Sequence, residues 1–108
     1  MHNQTEYAKM KTILTTEEFD EWFENLRDLK AKAKIEVRIQ RAKNGNFGDC
    51  KPIGEGLSEM RIDYGAGYRV YFMQRGAEIV ILLAGGDKTT QSTDIKNALQ
   101  ISHELKRG

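Results

Sequence analysis

Residues 57–88 limit the fold more than any other stretch, because their side-chain alternation is interrupted only at glycines. Ser58, Met60, Ile62 and Tyr64 alternate with Leu57, Glu59, Arg61 and Asp63, the period of a half-buried strand. Gly65-Ala66-Gly67 turns the chain. Tyr68, Val70 and Phe72 then alternate with Arg69, Tyr71 and Met73 as far as a second turn near Arg75-Gly76. Residues 79–84, Ile-Val-Ile-Leu-Leu-Ala, are apolar throughout, as expected of a strand covered on both faces. A three-residue loop at Gly65–Gly67 would set Tyr64 against Tyr68, Ile62 against Val70 and Met60 against Phe72. The same register puts Asp63 beside Arg69 and Arg61 beside Tyr71, with Glu59 one pair further along. One face of this meander is thus expected to feed a core, and the other to present a carboxylate, two arginines and a tyrosine.

The preceding residues read as helices. Thr15 and Glu18 have the spacing of a capping box, and Phe19, Trp22, Phe23 and Leu26 follow as an apolar stripe at helical intervals. Such a stripe is usually core. A second helix is predicted from about Leu29 to Lys43, with Ala31, Ile35, Ile39 and Ala42 inward; Lys34, Arg38 and Arg41 lie on its basic face, either merely solvated or in contact with phosphate. The two helices are expected to form an antiparallel hairpin. Residues 45–56 hold four glycines and the proline and read as a loop of about a dozen residues, long enough to suggest a role and carrying Lys51. Gly85-Gly86 either lets the backbone approach a neighbour closely or turns the chain, the turn being the default, and Thr90 or Ser92 reads as the cap of a last helix with Ile95, Ala98, Leu99 and Ser102 inward. Residues 11–14 suit an edge strand. The expected architecture is α+β: a small, mostly antiparallel sheet of an N-terminal strand and a three-stranded meander, packed by a helical hairpin and a C-terminal helix. Residues 10–108 form one domain behind a flexible extension, residues 1–9, and either Met1 or Met10 is the start.

Composition narrows the function classes. With 108 residues, a net charge of +1 and 31% charged residues, the chain has room for one core and is no strongly basic nucleic-acid wrapper, although a local basic patch is compatible with the total. Its single cysteine, Cys50, has no disulfide or CxxC partner and reads as a buried small apolar group, which suits a cytoplasmic setting. No apolar run reaches a membrane span, so no membrane partner is expected. Gly65-Ala-Gly67 lacks a dinucleotide fingerprint's third glycine and sits in a hairpin. His2 and His103 are poorly placed for a metal or a triad, so no metal and no cofactor is expected.

What remains is a mixed cluster of Glu59, Arg61, Arg69, Tyr71 and Lys88. A carboxylate with several fixed cations suits phosphodiester cleavage without a metal: a base deprotonates a ribose 2′-hydroxyl, cations stabilise the phosphorane-like charge, and an acid protonates the leaving 5′-oxygen. Arg61 and Arg69 would clamp the phosphate, Glu59 would be the base, Lys88 the proton donor or a further phosphate contact, and Tyr71 would stack on a base or order the site. The alternative is ordinary cross-strand pairing of Asp63 with Arg69 and of Glu59 with Arg61.

Phe47-Gly-Asp, residues 54–72 with Gly67-Tyr68-Arg69, and Gly85-Gly86-Asp87-Lys88-Thr-Thr-Gln, in this order of elements, closely resemble the RelE/ParE superfamily. More narrowly, the chain looks like the addiction module killer proteins, or HigB-like toxins, of bacterial type II toxin-antitoxin systems. The resemblance implies a toxin silenced by a cognate antitoxin, with which it can assemble as a heterotetramer. In RelE-like members it implies metal-independent mRNA cleavage on the ribosome, with Arg69 at the group's most regular arginine, Arg61 at a cationic position and Lys88 near another. Catalytic roles thus fall on Glu59, Arg61, Arg69 and Lys88, and RNA contacts on Lys51, Tyr71, Lys34, Arg38 and Arg41. ParE-like members use the same scaffold to poison DNA gyrase, and a small phage structural domain is a third reading. The antitoxin is expected to cover the face bearing Arg61 and Arg69, or to displace a neighbouring helix.

Overall fold

A computed structural model describes residues 10–107; the expected flexible extension, residues 1–9, lies outside the described residues. In chain order the elements are β1 (Thr12–Thr15), α1 (Glu17–Glu24), α2 (Leu29–Lys43), β2 (Cys50–Gly54), β3 (Leu57–Ile62), β4 (Tyr68–Arg75) and β5 (Ile79–Gly86). A 3-10 turn (Lys88–Thr90) then leads into α3 (Gln91–Arg107). They make an α+β domain around one five-stranded sheet of order β1-β5-β4-β3-β2. The meander runs antiparallel, and β1 pairs parallel with β5 at one edge.

Two features of the ladder correct the expected one. First, β2 lies inside the glycine-rich segment read as loop, antiparallel to β3. Its Pro52 is tolerated because an edge strand leaves one row of backbone donors unpaired. Second, β3 and β4 are joined by five residues, 63–67, so Ile62 faces Tyr68, Met60 faces Val70 and Arg61 faces Arg69. Gly65 and Gly67 adopt φ of 56° and 76°, and the Gly67 amide donates to the Tyr64 carbonyl at 3.0 Å, which closes the longer connection. The register differs from the expected one by two residues. Every side chain therefore keeps its face, which is why alternation could not distinguish the two.

Local chemistry sets the helix boundaries. Thr16, one residue later than expected, caps α1 by accepting from the Phe19 amide at 3.0 Å, while Thr15 completes the pairing of β1 with β5. Asp28 caps α2 through the Lys30 and Ala31 amides. α1 and α2 cover one face of the sheet, where Phe19, Ile35, Met60, Val70, Phe72 and Leu82 are buried together. α3 covers part of the other face through Ala98, against Leu57, Tyr71, Met73, Ile81 and Leu83. β5, buried from Val80 to Ala84, is the strand enclosed on both sides. Each large apolar side chain buried in these layers contributes roughly 1.5–3 kcal/mol. Cys50 is half-buried against the first cluster.

Of the two readings of Gly85 and Gly86, the structure shows the close approach and not the default turn: they end β5 and let two neighbours approach. A Cβ on Gly85 would stand 2.2 Å from the Trp22 ring, and one on Gly86 1.7 Å from the Asp94 carboxylate. Gly85→Ala is therefore expected to destabilise the protein by about 1–3 kcal/mol through overpacking. The same change in a Trp22→Leu background should cost clearly less. Urea unfolding of the four proteins measures both, and an unchanged midpoint for Gly85→Ala would refute the close approach.

Candidate functional site

The corrected register has a chemical consequence. Residues directly opposite in an antiparallel pair hold their Cβ atoms about 4.5–5.5 Å apart, and like charges there repel. Arg61 and Arg69 occupy such a pair, on the face α3 only partly covers. Both line a pocket of about 250 Å³ with Lys88, Asp49, Asp63, Ile62, Gly65 and Gly67. The three cations predicted as a cluster thus converge on one concavity.

Each cation is held differently. Asp49, opposite Arg61 on the edge-strand side, accepts from its Nη2 at 2.9 Å and its Nε at 3.3 Å. That hydrogen bond, aided by the carboxylate's charge, holds the Arg61 pKa above its usual value. The pair is open to solvent, so a phosphate can compete for the guanidinium. Arg69 is mostly buried. The Glu59 Oε1 lies 4.0 Å from its Nε, near enough for attraction but too far for a hydrogen bond, and the Nε has no partner. Lys88 lays its aliphatic stem across Gly67, 3.3 to 3.4 Å from where a Cβ would stand, and its amide reaches the Ala66 carbonyl at 3.4 Å. Asp87 accepts from the Thr89 amide and hydroxyl, capping the turn that presents Lys88; those bonds hold its carboxyl below the usual range.

Three expected roles change. Glu59 is only 2% exposed and accepts from Gln91 at 2.8 Å, so with α3 in place it cannot reach a ribose hydroxyl; it anchors Arg69 instead of serving as the base. Tyr71 is fully buried beneath α3 and cannot stack on a nucleobase. Its hydroxyl has no partner, and burial, reinforced by the Glu59 charge, pushes its pKa well up. Arg38 donates to the carbonyls of Arg61, Phe47 at 3.0 Å and Asp49 at 3.1 Å. It staples the 47–49 segment and the end of β3 to α2, with Gly48 leaving it room, and is no free phosphate contact. Its pKa is lowered by burial. The Asp63–Arg69 and Glu59–Arg61 pairing is replaced by Asp49–Arg61 and Glu59–Arg69.

Lys34 and Arg41 remain exposed. They line a groove of about 440 Å³ along α2 with Lys30 and Val37, and it shares Ile62 and Asp63 with the first pocket. Lys34 sits 5.2 Å above the Tyr64 ring. Lys51 stands opposite Glu59 on the edge strand, on the cluster's side of the sheet but outside the pocket lining. Asp49, Asp87 and Gln91 lie in segments quoted for the family resemblance, but sequence reasoning gave none of them a role. Asp87 carried a local signal as well, an aspartate three residues before Thr90 at a helix start. Among the described residues no helix is long and apolar enough to cross a membrane, and no three His, Cys, Asp or Glu side chains gather as a metal site.

Comparison with known proteins adds a family. The family model described as phage derived protein Gp49-like (DUF891) matches residues 17–106. A Haemophilus influenzae protein described as uncharacterized is 53% identical over 97 residues, which span 90% of this chain and 95% of that protein. No solved structure matches.

Two outcomes test the supports of the site. Arg38→Ala should cost about 1–2 kcal/mol by stranding three carbonyls, and Arg38→Lys should recover only part of this because it lacks the planar fork; chemical denaturation measures both. Asp87→Ala should cost about 1 kcal/mol near neutral pH, the usual worth of a cap. A depressed folded pKa stabilises above the unfolded carboxylate range and is lost as pH falls through the folded value. The gap between parent and Asp87→Ala should therefore narrow on acidification below about pH 4, and a gap independent of pH would disprove the charged cap.

Proposed function

This chain belongs to the phage-derived Gp49-like family, one associated with toxin-like proteins of addiction modules, and we propose that it is the toxin of a type II toxin-antitoxin pair that cleaves mRNA on the ribosome. The resemblance of its hairpin and Gly-Gly-Asp-Lys segments to RelE-like proteins supports this reading. The observation that carries it is the placing of Arg61 opposite Arg69, with Lys88 beside them in one open pocket. Like charges opposite each other in a strand pair are unfavourable in themselves; Asp49 and Glu59 offset them here, and a bound phosphodiester would serve both guanidiniums at once.

The reaction needs no added redox or metal partner. The ribose 2′-oxygen attacks the adjacent phosphorus, the P–O5′ bond breaks, and a 2′,3′-cyclic phosphate and a 5′-hydroxyl end are left. Arg61, released from Asp49, and Arg69, braced by Glu59, take the charge that grows on the equatorial oxygens. Lys88 protonates the departing 5′-oxygen. The 2′-proton goes to a carboxylate of the pocket, and Asp63 is assigned that role because it is exposed at the rim while Asp49 is engaged by Arg61. Lys34 and Arg41 guide the flanking RNA backbone along α2. The cognate antitoxin neutralises the toxin in the cytoplasm.

Induced expression followed by mapping of mRNA 5′ ends is the test. Cuts in phase with codons are expected, and Arg69→Ala should lower the cleavage rate about 10²–10³-fold while the protein stays folded. Asp63→Asn should slow cleavage by at least about 10²-fold. Broken DNA without phased cuts would establish the gyrase-poison alternative in its place.

A further inference from the structure

α2 turns an apolar line toward solvent. Leu29 is 74% and Val37 49% exposed, and Ala33, also exposed, lies between them at four-residue spacing, away from the buried line of Ala31, Ile35 and Ala42. A helix already packed on one side normally shows polar residues on the other. Ala33 and Val37 also wall the groove between α2 and the end of β3, which the buried Ile62 underlies and where Lys30, Lys34 and Arg41 supply charge. Asp63 on the groove and Glu36 on the far flank of the line are the opposing acids.

RNA explains these cations but not the apolar line, since contacts to a phosphate backbone are polar. Both are satisfied by an amphipathic helix with apolar side chains at three- and four-residue intervals and carboxylates along one flank. Residues 1–9 of this chain do not fit, because Glu6 and Lys9 balance in charge. The acidic α1 of a second copy does not fit either, because its Phe19 line is already spent in its own core.

We propose that the α2 groove docks an acidic amphipathic helix of a partner protein. Naming that partner the antitoxin rests on the function proposed above; the selectivity of the groove does not. Because the groove meets the cationic pocket at Ile62 and Asp63, a helix seated there closes the RNA path along Lys34 and Arg41 without entering the pocket.

The probes are two designed helical peptides of about 18 residues with leucines at this spacing, one flanked by Glu and one by Lys, titrated against the purified full chain by fluorescence anisotropy. The Glu peptide should bind at least about tenfold more tightly than the Lys peptide. Leu29→Ser with Val37→Ser should weaken it by about tenfold or more, and so should Lys30→Glu with Lys34→Glu. These exposed sites should leave the melting temperature unchanged. Binding of a uridine oligonucleotide should fall only in the charge-reversed variant, which separates this surface from the RNA reading. Equal binding of the two peptides, or parental affinity in the Leu29→Ser, Val37→Ser protein, overturns the proposal. So does a dimer of the parent that this variant abolishes, or tighter peptide binding once residues 1–9 are removed, since either gives the groove to this chain itself.

Discussion

The cross-strand placing of Arg61 against Arg69 is the constraint around which the site is arranged. The backbone ladder fixes the two residues across from each other, and the charge is offset locally, by Asp49 for the first and Glu59 for the second. The offset is unequal. Asp49 is exposed and exchangeable, whereas Glu59 is buried and gripped by Gln91. One arginine is thus free to change partner while the other stays braced, which is what the proposed phosphate clamp calls for.

Each surrounding layer contributes to holding that pair. α2 fastens the segment bearing Asp49 through the Arg38 fork, and the β3–β4 connection lets Lys88 fold over Gly67. α3 seals the polar interior where Tyr71 and the Arg69 Nε are left without partners. Unpaired buried polar atoms of this kind are uncommon, and one of the two belongs to Arg69, which lines the cationic pocket.

The elements that carry the sheet were legible because alternation and apolar runs report faces directly. Met60, Ile62, Val70 and Phe72 were placed on the core side by period alone, and Arg61, Arg69 and Lys88 converge as the pattern indicated. The loop length was not legible, since a slip of two residues preserves every face. The edge strand was hidden by Pro52 and its glycines, which describe a loop equally well until a neighbour supplies hydrogen bonds. Burial of Glu59 and Tyr71 escaped as well. The pattern of a strand says which side a residue faces, not whether a helix distant in the chain will lie above it.

Trp22 is the single tryptophan of the chain, and its ring rests on Gly85, one residue before Gly86 and three before Lys88. The indole also touches Phe19 within the core and lies 6.5 Å, ring to ring, from Tyr68, the neighbour of Arg69. The protein therefore carries its one indole on the α1 face of the sheet, against the end of the strand whose Gly86 pairs with Arg69. Movement of this end of β5 would change the environment of the indole, an optical signal that requires no label.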